Sequence, residues 1–430
     1  MHAVLEGVVG ELSQDAQRVF RVLGALPIGR FAPAAAAAAA GLSVSDTIGL
    51  LAELTEAQLL YKTASEGYRL YPAAVWLARE LAADAPRSEH GDAVERLSLW
   101  YLGSAVNAAG AVRPYRRDVP ERPDGLQVPA QQFTDMADAL EWLDAEAEQI
   151  YVLAQQLSEG RNVTRAIYLL GQLWALWAYR KRYRLWESCD TLALHYAQVR
   201  CDKDAQARVL RRLGLLCTQL GRYTEADAYL SDAAALFEDL GEEHRLAGAL
   251  GSRGMMFLRK GSVELARAQL NQALTLHRGL GDTRQVGLVL IDLANTEIER
   301  GCPSTALSLL RDAEQALGDS PDLYSLARRR MLTGRAHGLT GDSEQAAREL
   351  SEAHEAMVAC DAEAGAAEAL IWMAELARTT GQIDAMHQRL LQATERLDYL
   401  DVPGTSWLRQ RVSLLTSGAE WRAIQRGGPD

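Results

Sequence analysis

The sequence predicts an all-α protein with one small β-hairpin near its N-terminus, most of whose length forms a right-handed α-solenoid. Two observations predict the solenoid. Glycines recur at a strict 40-residue step, and alanines and leucines recur at the same step inside the intervening helices. A fixed period of this length is typical of stacked helical hairpins, because each hairpin must bury its apolar face against the next one.

The recurring glycines mark the turn inside each predicted hairpin. They lie between two apolar helical stretches, at Gly221, Gly261, Gly301, Gly341 and Gly381. Glycine ends a helix readily because it adopts positive φ angles that other residues avoid. The next helix begins at once, with Thr224, Pro303 or Ser343 at its first positions, where helices favour such residues.

The second helix of each hairpin carries small residues on one face. Alanine recurs at Ala193, Ala233, Ala273, Ala313, Ala353 and Ala393. A leucine precedes the last five of these by three residues, from Leu230 to Leu390, and a further alanine precedes four of the leucines, from Ala226 to Ala346. Spacings of four and three place these residues on one helix face, so we expect two helices to approach closely there.

This pattern resembles the tetratricopeptide repeat, which has a small residue in its first helix and Ala, a large apolar residue and Ala in its second. The small residues here are Gly214, Gly254, Ala294, Gly334 and Ala374. The period is longer than the family's common length of about 34 residues. An older copy covers about residues 162–200, where Trp174 and Trp186 replace the small residues and Lys181 replaces the glycine. We therefore expect about six repeats across residues 162–400, and a capping helix and tail across 401–430.

The N-terminal segment, residues 1–85, predicts a winged-helix-like module. Three amphipathic or apolar helices are expected at Asp15–Leu26, Pro33–Ala40 and Ser43–Leu54. Two short apolar runs, Leu59–Thr63 and Tyr68–Tyr71, flank a turn and predict a β-hairpin. A helix within a proline-containing linker is expected across residues 86–132, and a helical segment leading into the solenoid across 133–161.

Two motifs in this order resemble STAND regulators, the signal-transduction ATPases that include large antibiotic-pathway regulators of actinobacteria. Residues Asp15–Phe20 with Leu23-Gly24 resemble the winged helix of that family, and Ala139–Glu146 resembles the motif that opens its repeat region. The family's Met-His-Asp triplet, which senses the nucleotide phosphate, is replaced by Leu70-Tyr71-Pro72. No Walker A sequence occurs in the chain, so we expect no nucleotide binding. The altered triplet favours a naturally shortened member of this group over a cut fragment.

Composition narrows the class of protein. The net charge is −12 and the pI is about 5.3, which argues against broad electrostatic binding to nucleic acid or to an anionic membrane. The five cysteines are scattered without CxxC spacing, which suits a reducing compartment. No signal peptide or long apolar segment is evident. We therefore expect a cytoplasmic protein.

The resemblance to tetratricopeptide repeats implies a binding site on the concave face, which the first helices line in that family. Carrying the family's groove positions onto this chain selects Tyr168, Arg208, Arg211, Met255, Leu258, Asn295, Arg328 and Arg335. A partly apolar groove with arginines suits a protein or peptide segment that has an apolar stripe and an acidic group. A small effector is a further candidate. The expected function is that of a non-catalytic regulatory or adaptor protein.

The alternative function is transcriptional regulation through DNA contact by the winged helix. The helix that would enter the major groove, Ser43–Leu54, contains only Asp46 and Glu53 as charged residues, which disfavours DNA. Interleaved basic and aromatic residues around Arg180–Arg184 could bind nucleic acid, but tryptophans at helical spacing are more often core residues.

We expect no enzymatic activity, because neither an HExxH pattern nor a GxSxG elbow occurs. We likewise expect no cofactor and no metal site. His277 is expected to pack in the core, since Phe237, Leu317 and Met357 occupy the equivalent positions of other repeats. The oligomeric state is open.

Overall fold

The protein is described by a computed structural model, which covers residues 2–63, 67–85, 87–113, 130–158, 161–180, 182–318, 322–400 and 406–416. Ser65 and Glu66 of the predicted hairpin turn, the proline-containing stretch at 114–129, Lys181 and the tail after 416 lie outside these residues. The chain divides into two compact units. The first comprises Met1–Arg180 with Ser188–Arg200, and the second comprises Lys181–Glu187 with Cys201–Asp430.

Where the structure describes it, the first unit is helical apart from one antiparallel hairpin. Its elements are α1 (His2–Glu11), α2 (Gln14–Ala25), α3 (Pro33–Ala40), α4 (Val44–Glu56), β1 (Leu60–Lys62), β2 (Tyr68–Leu70), α5 (Pro72–Asp84), α6 (Arg87–Val112), α7 (Met136–Gln156), α8 (Arg161–Gln172), α9 (Trp174–Tyr179) and most of α10 (Tyr183–Val199). The predicted helices α2, α3 and α4 and both strands are confirmed. Helix α1 was not predicted, and α6 is the helix expected within residues 86–132.

Local chemistry explains the ends of the N-terminal helices. The Ser13 hydroxyl accepts a hydrogen bond from the Ala16 amide, and the Ser43 hydroxyl accepts one from the Asp46 amide. Gly41 ends α3 with φ of 69°, a left-handed conformation that favours glycine. The hairpin pairs Leu60 with Leu70 and Lys62 with Tyr68, and an isolated bridge joins Tyr68 to Phe31.

A buried ion pair joins three elements of the first unit. Arg30 Nη2 donates to Glu146 Oε1 at 2.5 Å and to the Ala145 carbonyl at 2.7 Å. The Tyr101 hydroxyl donates to Glu146 Oε2 at 2.7 Å. Burial, together with the Glu146 charge, raises the pKa of Tyr101 well above its ordinary value. The carboxylate on α7 therefore fixes α6 and the segment after α2 in place.

The second unit consists of paired helices that follow the predicted 40-residue period. They are α11 (Lys203–Gln219), α12 (Tyr223–Asp239), α13 (Glu243–Arg259), α14 (Val263–Gly279), α15 (Thr283–Glu299), α16 (Pro303–Leu317), α17 (Leu323–Thr340), α18 (Ser343–Ala359), α19 (Glu363–Thr379), α20 (Ile383–Leu400) and α21 (Ser406–Thr416). The five periodic glycines have φ angles between 73° and 89°, as expected for turns that require glycine.

The small residues of the repeat face the leucines of the second helix. A Cβ atom added to Gly214 would lie 2.5 Å from Leu230 Cγ, and one added to Gly254 would lie 2.7 Å from Leu270 Cγ. No real Cβ tolerates such distances without a shift of its neighbour, so these two helix pairs could not keep their present spacing if Gly214 or Gly254 had a side chain. The periodic alanines of the second helices, including Ala233 and Ala273, are fully buried.

The predicted first repeat is less regular than the others. Its first helix is interrupted at Leu173, between α8 and α9. Trp177 and Trp186 are buried, which agrees with core packing of these tryptophans. The division into compact units runs through this copy, since Tyr183–Glu187 at the start of α10 count with the second unit.

A helix can cross a membrane only if it is long and apolar enough. None of the helices in the described part of the chain qualifies by itself. Helices α3 and α4 taken together are long and apolar enough by length and composition alone, but they meet at a bend of 104°.

Candidate functional site

The first helices of the hairpins line the inner side of the second unit. Successive first helices, α11, α13, α15, α17, α19 and α21, contact one another more extensively than successive second helices do. A stack whose first helices are closer together than its second helices must curve toward the first helices. Arg259 on α13 lies 4.3 Å from the ring of Trp407 on α21, although three first helices separate them in the stack. The concave face is therefore narrow.

Most of the sequence-predicted groove residues belong to this unit. Tyr168 lies on α8 in the first unit, whereas the other seven lie on α11, α13, α15 and α17. Leu258 is buried and Met255 is half-buried against the same apolar cluster, which also contains Phe257 and Leu230. These two apolar residues thus hold neighbouring helices together.

The predicted arginines are engaged by residues of their own or adjacent repeats. Arg208 Nε donates to Asp204 Oδ2 at 3.0 Å, and Arg211 Nε donates to the Ser252 hydroxyl at 3.1 Å. Arg328 Nη2 donates to Asp292 Oδ1 at 2.5 Å. These contacts link side chains up to 41 residues apart in sequence. They form a polar ladder along the concave face.

Arg335 is more enclosed than Arg208 and Arg328, since its side chain is 8% exposed and theirs are 20% and 24% exposed. It donates to Asn295 Oδ1 at 3.0 Å and to Glu299 Oε1 at 2.8 Å, which brings the two predicted residues Asn295 and Arg335 together. Its guanidinium lies 3.6 Å from the Trp372 ring centre. Burial lowers the pKa of Arg335, although the Glu299 carboxylate opposes that effect.

Trp372 is a groove residue that sequence reasoning missed. Arg411 of α21 stacks on this ring as well, at 3.9 Å, and donates to Glu375 Oε2 at 2.8 Å. The indole nitrogen of Trp372 lies 3.3 Å from Glu368 Oε1, to which it donates. The 40-residue period gave no signal for this residue. The extra helix α21 supplies the second arginine, and its packing became visible only in three dimensions.

Arg259 differs from the other groove arginines. It lies in the last turn of α13, and no hydrogen bond or ion pair joins it to any residue that the structure describes. The Tyr183 and Tyr324 hydroxyls interact electrostatically with its charge. Burial raises the pKa of Tyr183 to about 12 despite that cation. Desolvation also raises the pKa of Tyr324. Tyr324 is 37% exposed, so this desolvation is the effect expected inside a narrow concavity and not that of complete burial.

One cluster in the second unit combines residues that could hold a metal ion. One ligand atom from each of His244, His277 and Asp282 lies within 4.8 Å of the other two. His277 is buried as the repeat pattern predicted. Burial and the neighbouring His244 lower the pKa of His277 from 6.5 to about 4.

This pKa shift predicts a loss of stability in acid. The folded-state pKa of about 4 lies below the ordinary value of 6.5, so the unfolded chain takes up a proton first as the pH falls. The contribution is present above pH 6.5 and is lost toward pH 4. Between pH 7 and 5 we expect about 2 kcal/mol of lost unfolding free energy from this group. Urea unfolding in a chelating buffer should show that loss in the wild type and a smaller one in His277→Leu. Equal pH dependence of the two proteins would contradict the assignment.

Comparison with known proteins supports the repeat architecture. Residues 205–279 match the tetratricopeptide repeat family. The chain is 26% identical over 316 residues to "Regulatory protein AfsR" of Streptomyces griseus, which covers 72% of this chain and 32% of that protein. The chain thus spans about a third of the length of this curated relative.

Two solved structures are similar to this chain, and the first of them shows the same type of fold. NprR in complex with its cognate peptide NprX has a TM-score of 0.51 and 16% identity, covering 65% of this chain and 83% of that one. The STAND protein with a tetratricopeptide repeat sensor from Pyrococcus horikoshii has a TM-score of 0.45 and 13% identity, covering 100% of this chain and 63% of that one. The chain therefore contains a tetratricopeptide-repeat solenoid, and over most of its length it is similar to part of a bacterial regulatory protein.

Proposed function

We propose that this chain is a non-catalytic regulatory or adaptor protein of the cytoplasm that binds a peptide or protein segment in the concave groove of its second unit. Arg259 is the anchor for a carboxylate of that ligand. The observation that carries the proposal is the hydrogen bonding and ion pairing of this guanidinium. It lies on the concave side beside Trp407 without a hydrogen-bond or ion-pair partner in the described part of the chain, whereas Arg328 and Arg335 have carboxylate partners.

The chemistry around Arg259 suits a peptide carboxylate. The ring of Trp407 covers one side of the guanidinium, and arginine can stack on an aromatic ring while its N–H groups donate to a carboxylate. Desolvation in the narrow groove strengthens such a charge-assisted bond. The Tyr324 hydroxyl adds a hydrogen-bonding group near the same cation. The shared fold with NprR, which was solved with its cognate peptide, is consistent with this use of the groove.

The alternative, DNA contact through α4, has weaker support. The exposed positions of this helix include Val44, Asp46 and Ile48, and the helix contains no lysine or arginine. Glu53 accepts hydrogen bonds from the Ser13 amide and hydroxyl at 2.7 and 2.8 Å. A helix that meets phosphates needs cations at such positions. Binding of any DNA by the intact chain at physiological salt would revive this alternative.

The experiment compares Arg259→Gln with the wild type. Arg348→Gln is the matched control, because Arg348 lies on the second helix α18, is 60% exposed and pairs with Glu344. Partners captured from the source organism by the wild-type chain are identified, and the bound segment is synthesised with and without its carboxylates. Loss of a charge-assisted bond of about 1.5–3 kcal/mol should weaken binding by about ten- to a hundredfold in Arg259→Gln.

The expected pattern is specific to charge. Arg348→Gln should bind like the wild type, and the uncharged peptide should bind the wild type and Arg259→Gln equally weakly. Circular dichroism should be the same for all three proteins. Equal affinity of Arg259→Gln and wild type for the charged peptide would place the ligand elsewhere.

A further inference from the structure

Three potential metal ligands meet where two repeats join. His244 lies in the first turn of α13, His277 in the last turn of α14, and Asp282 is the N-cap residue of α15. His244 Nε2 lies 3.0 Å from Asp282 Oδ2. The other carboxylate oxygen, Oδ1, accepts a hydrogen bond from the Gln285 amide at 3.1 Å, which fixes the orientation of the group. The two histidine rings lie 5.4 Å apart, edge to face.

The next repeat shows which residues are sufficient to stabilise a joint of this type. Forty residues further on, the same three positions hold Arg284, Leu317 and Asp322. Arg284 Nη2 donates to Asp322 Oδ2 at 2.5 Å, so a hydrogen bond again joins the N-terminal ends of two successive first helices. Leu317 fills the core position of His277. Neither histidine is therefore required by the architecture, and the pair of them is peculiar to one joint.

His277 is an unusual group to bury at such a position. Its side chain is 1% exposed, and its Nδ1 has no hydrogen-bond partner within the described ranges. Leaving a buried polar atom unpaired costs about 1–3 kcal/mol. Its lowered pKa keeps the imidazole neutral at neutral pH, the form that offers a lone pair to a metal.

We propose that His244, His277 and Asp282 bind a divalent transition-metal ion, for which zinc is the best match, at the joint between α13, α14 and α15. Two imidazoles and one carboxylate are ligands that zinc accepts, whereas magnesium and calcium prefer oxygen ligands. Metal–ligand bonds of about 2.0–2.2 Å place ligand atoms about 3.3 Å apart in a tetrahedral site. His244 Nε2 and Asp282 Oδ2, at 3.0 Å, are close to that spacing. All three ligand atoms lie within 4.8 Å of one another, so side-chain rotations would bring the third atom to it.

The site would act as a clamp between two repeats. Its ligands come from two successive first helices and from the second helix between them. Three protein ligands leave one tetrahedral position for water. Because the metal binds the folded state, it raises the unfolding free energy in proportion to the logarithm of the free ion concentration. Metal availability would then control the rigidity of the solenoid at this joint.

The test begins with chelator-treated, intact protein titrated with zinc. We expect one zinc ion per chain at micromolar or lower dissociation constant and a rise in melting temperature, with magnesium giving neither. The double variant His244→Arg/His277→Leu copies the residues of the next repeat and should therefore fold. It should bind zinc at least about tenfold more weakly, because it lacks two of the three proposed ligands.

Two controls separate this site from adventitious binding. His337→Gln removes another histidine–aspartate pair, His337 with Asp342 at 3.6 Å, and should leave zinc affinity unchanged. Cobalt in place of zinc should lack the thiolate charge-transfer band, which excludes the five cysteines as ligands. No zinc binding at about 100 µM, or equal zinc affinity in wild type and double variant, would overturn the proposal.

Discussion

Ala273→Arg is expected to lower the unfolding free energy of the second unit by about 3–5 kcal/mol, because it places an unpaired charge in the apolar seam between helices. Ala273 is fully buried on α14 and belongs to a cluster with Leu270, Leu293 and Leu310, which lie on three different helices. A Cβ added to Gly251 on the facing helix α13 would lie 4.0 Å from Ala273 Cβ. The backbones of α13 and α14 are so close here that a guanidinium at this position could not reach water.

The matched control for Ala273→Arg is Gln272→Arg, which adds the same side chain one position earlier, where α14 is exposed. Urea and thermal unfolding followed by circular dichroism measure both variants. Because each repeat is stabilised mainly by its neighbours, we expect Ala273→Arg to lower the midpoint strongly or to split the transition, while Gln272→Arg changes little. Coincident unfolding curves for the two variants would show that the repeat register is wrong.

Glu146→Ala is expected to destabilise the first unit by about 3–5 kcal/mol, since it leaves the Arg30 charge buried without its partner. Glu146 is 3% exposed and receives hydrogen bonds from both Arg30 and Tyr101. Removing the carboxylate also leaves the Tyr101 hydroxyl unpaired in the interior. Urea unfolding followed by tryptophan fluorescence is a suitable measurement, because Trp142 lies 6.2 Å from the Tyr101 ring.

Two further variants isolate the cause of this loss. Glu141→Ala removes an exposed carboxylate from the same helix and should change the unfolding free energy little. The double variant Arg30→Met/Glu146→Leu removes both charges and should recover much of the loss, because an apolar pair of similar volume avoids the desolvation cost. If Glu146→Ala and Glu141→Ala unfold alike, the buried ion pair does not stabilise this unit.

The helical hairpins were predictable because their pattern is local and repeated. A glycine that needs positive φ and a small residue that meets a leucine both recur every 40 residues, so each copy supports the same interpretation. Gly254 shows the link directly, since an added Cβ would collide with Leu270 of the partner helix. The N-terminal helices were predictable for a similar reason, because Ser13, Ser43 and Gly41 cap helix ends through hydrogen bonds to residues within one turn.

The candidate site was less predictable. The repeat pattern selected Arg328 and Arg335 as groove positions, but their partners Asp292 and Glu299 lie 36 residues earlier, on the preceding first helix. Arg259 was not selected, although it follows the selected Leu258 directly. Among the described residues it has no hydrogen-bond or ion-pair partner, which depends on the side chains that the curvature of the stack brings near it, and a periodic pattern does not contain that curvature.

The sequence by itself determined the period, the helix ends and the buried face of each repeat, because these follow from backbone preferences and apolar spacing within about 40 residues. The tertiary structure alone decided which charges are paired, that two arginines lie over the Trp372 ring, and that His244, His277 and Asp282 meet at one joint. Those outcomes depend on distances between separate helices. Electrostatic energies change steeply over a few ångströms, so only the packed arrangement determines them.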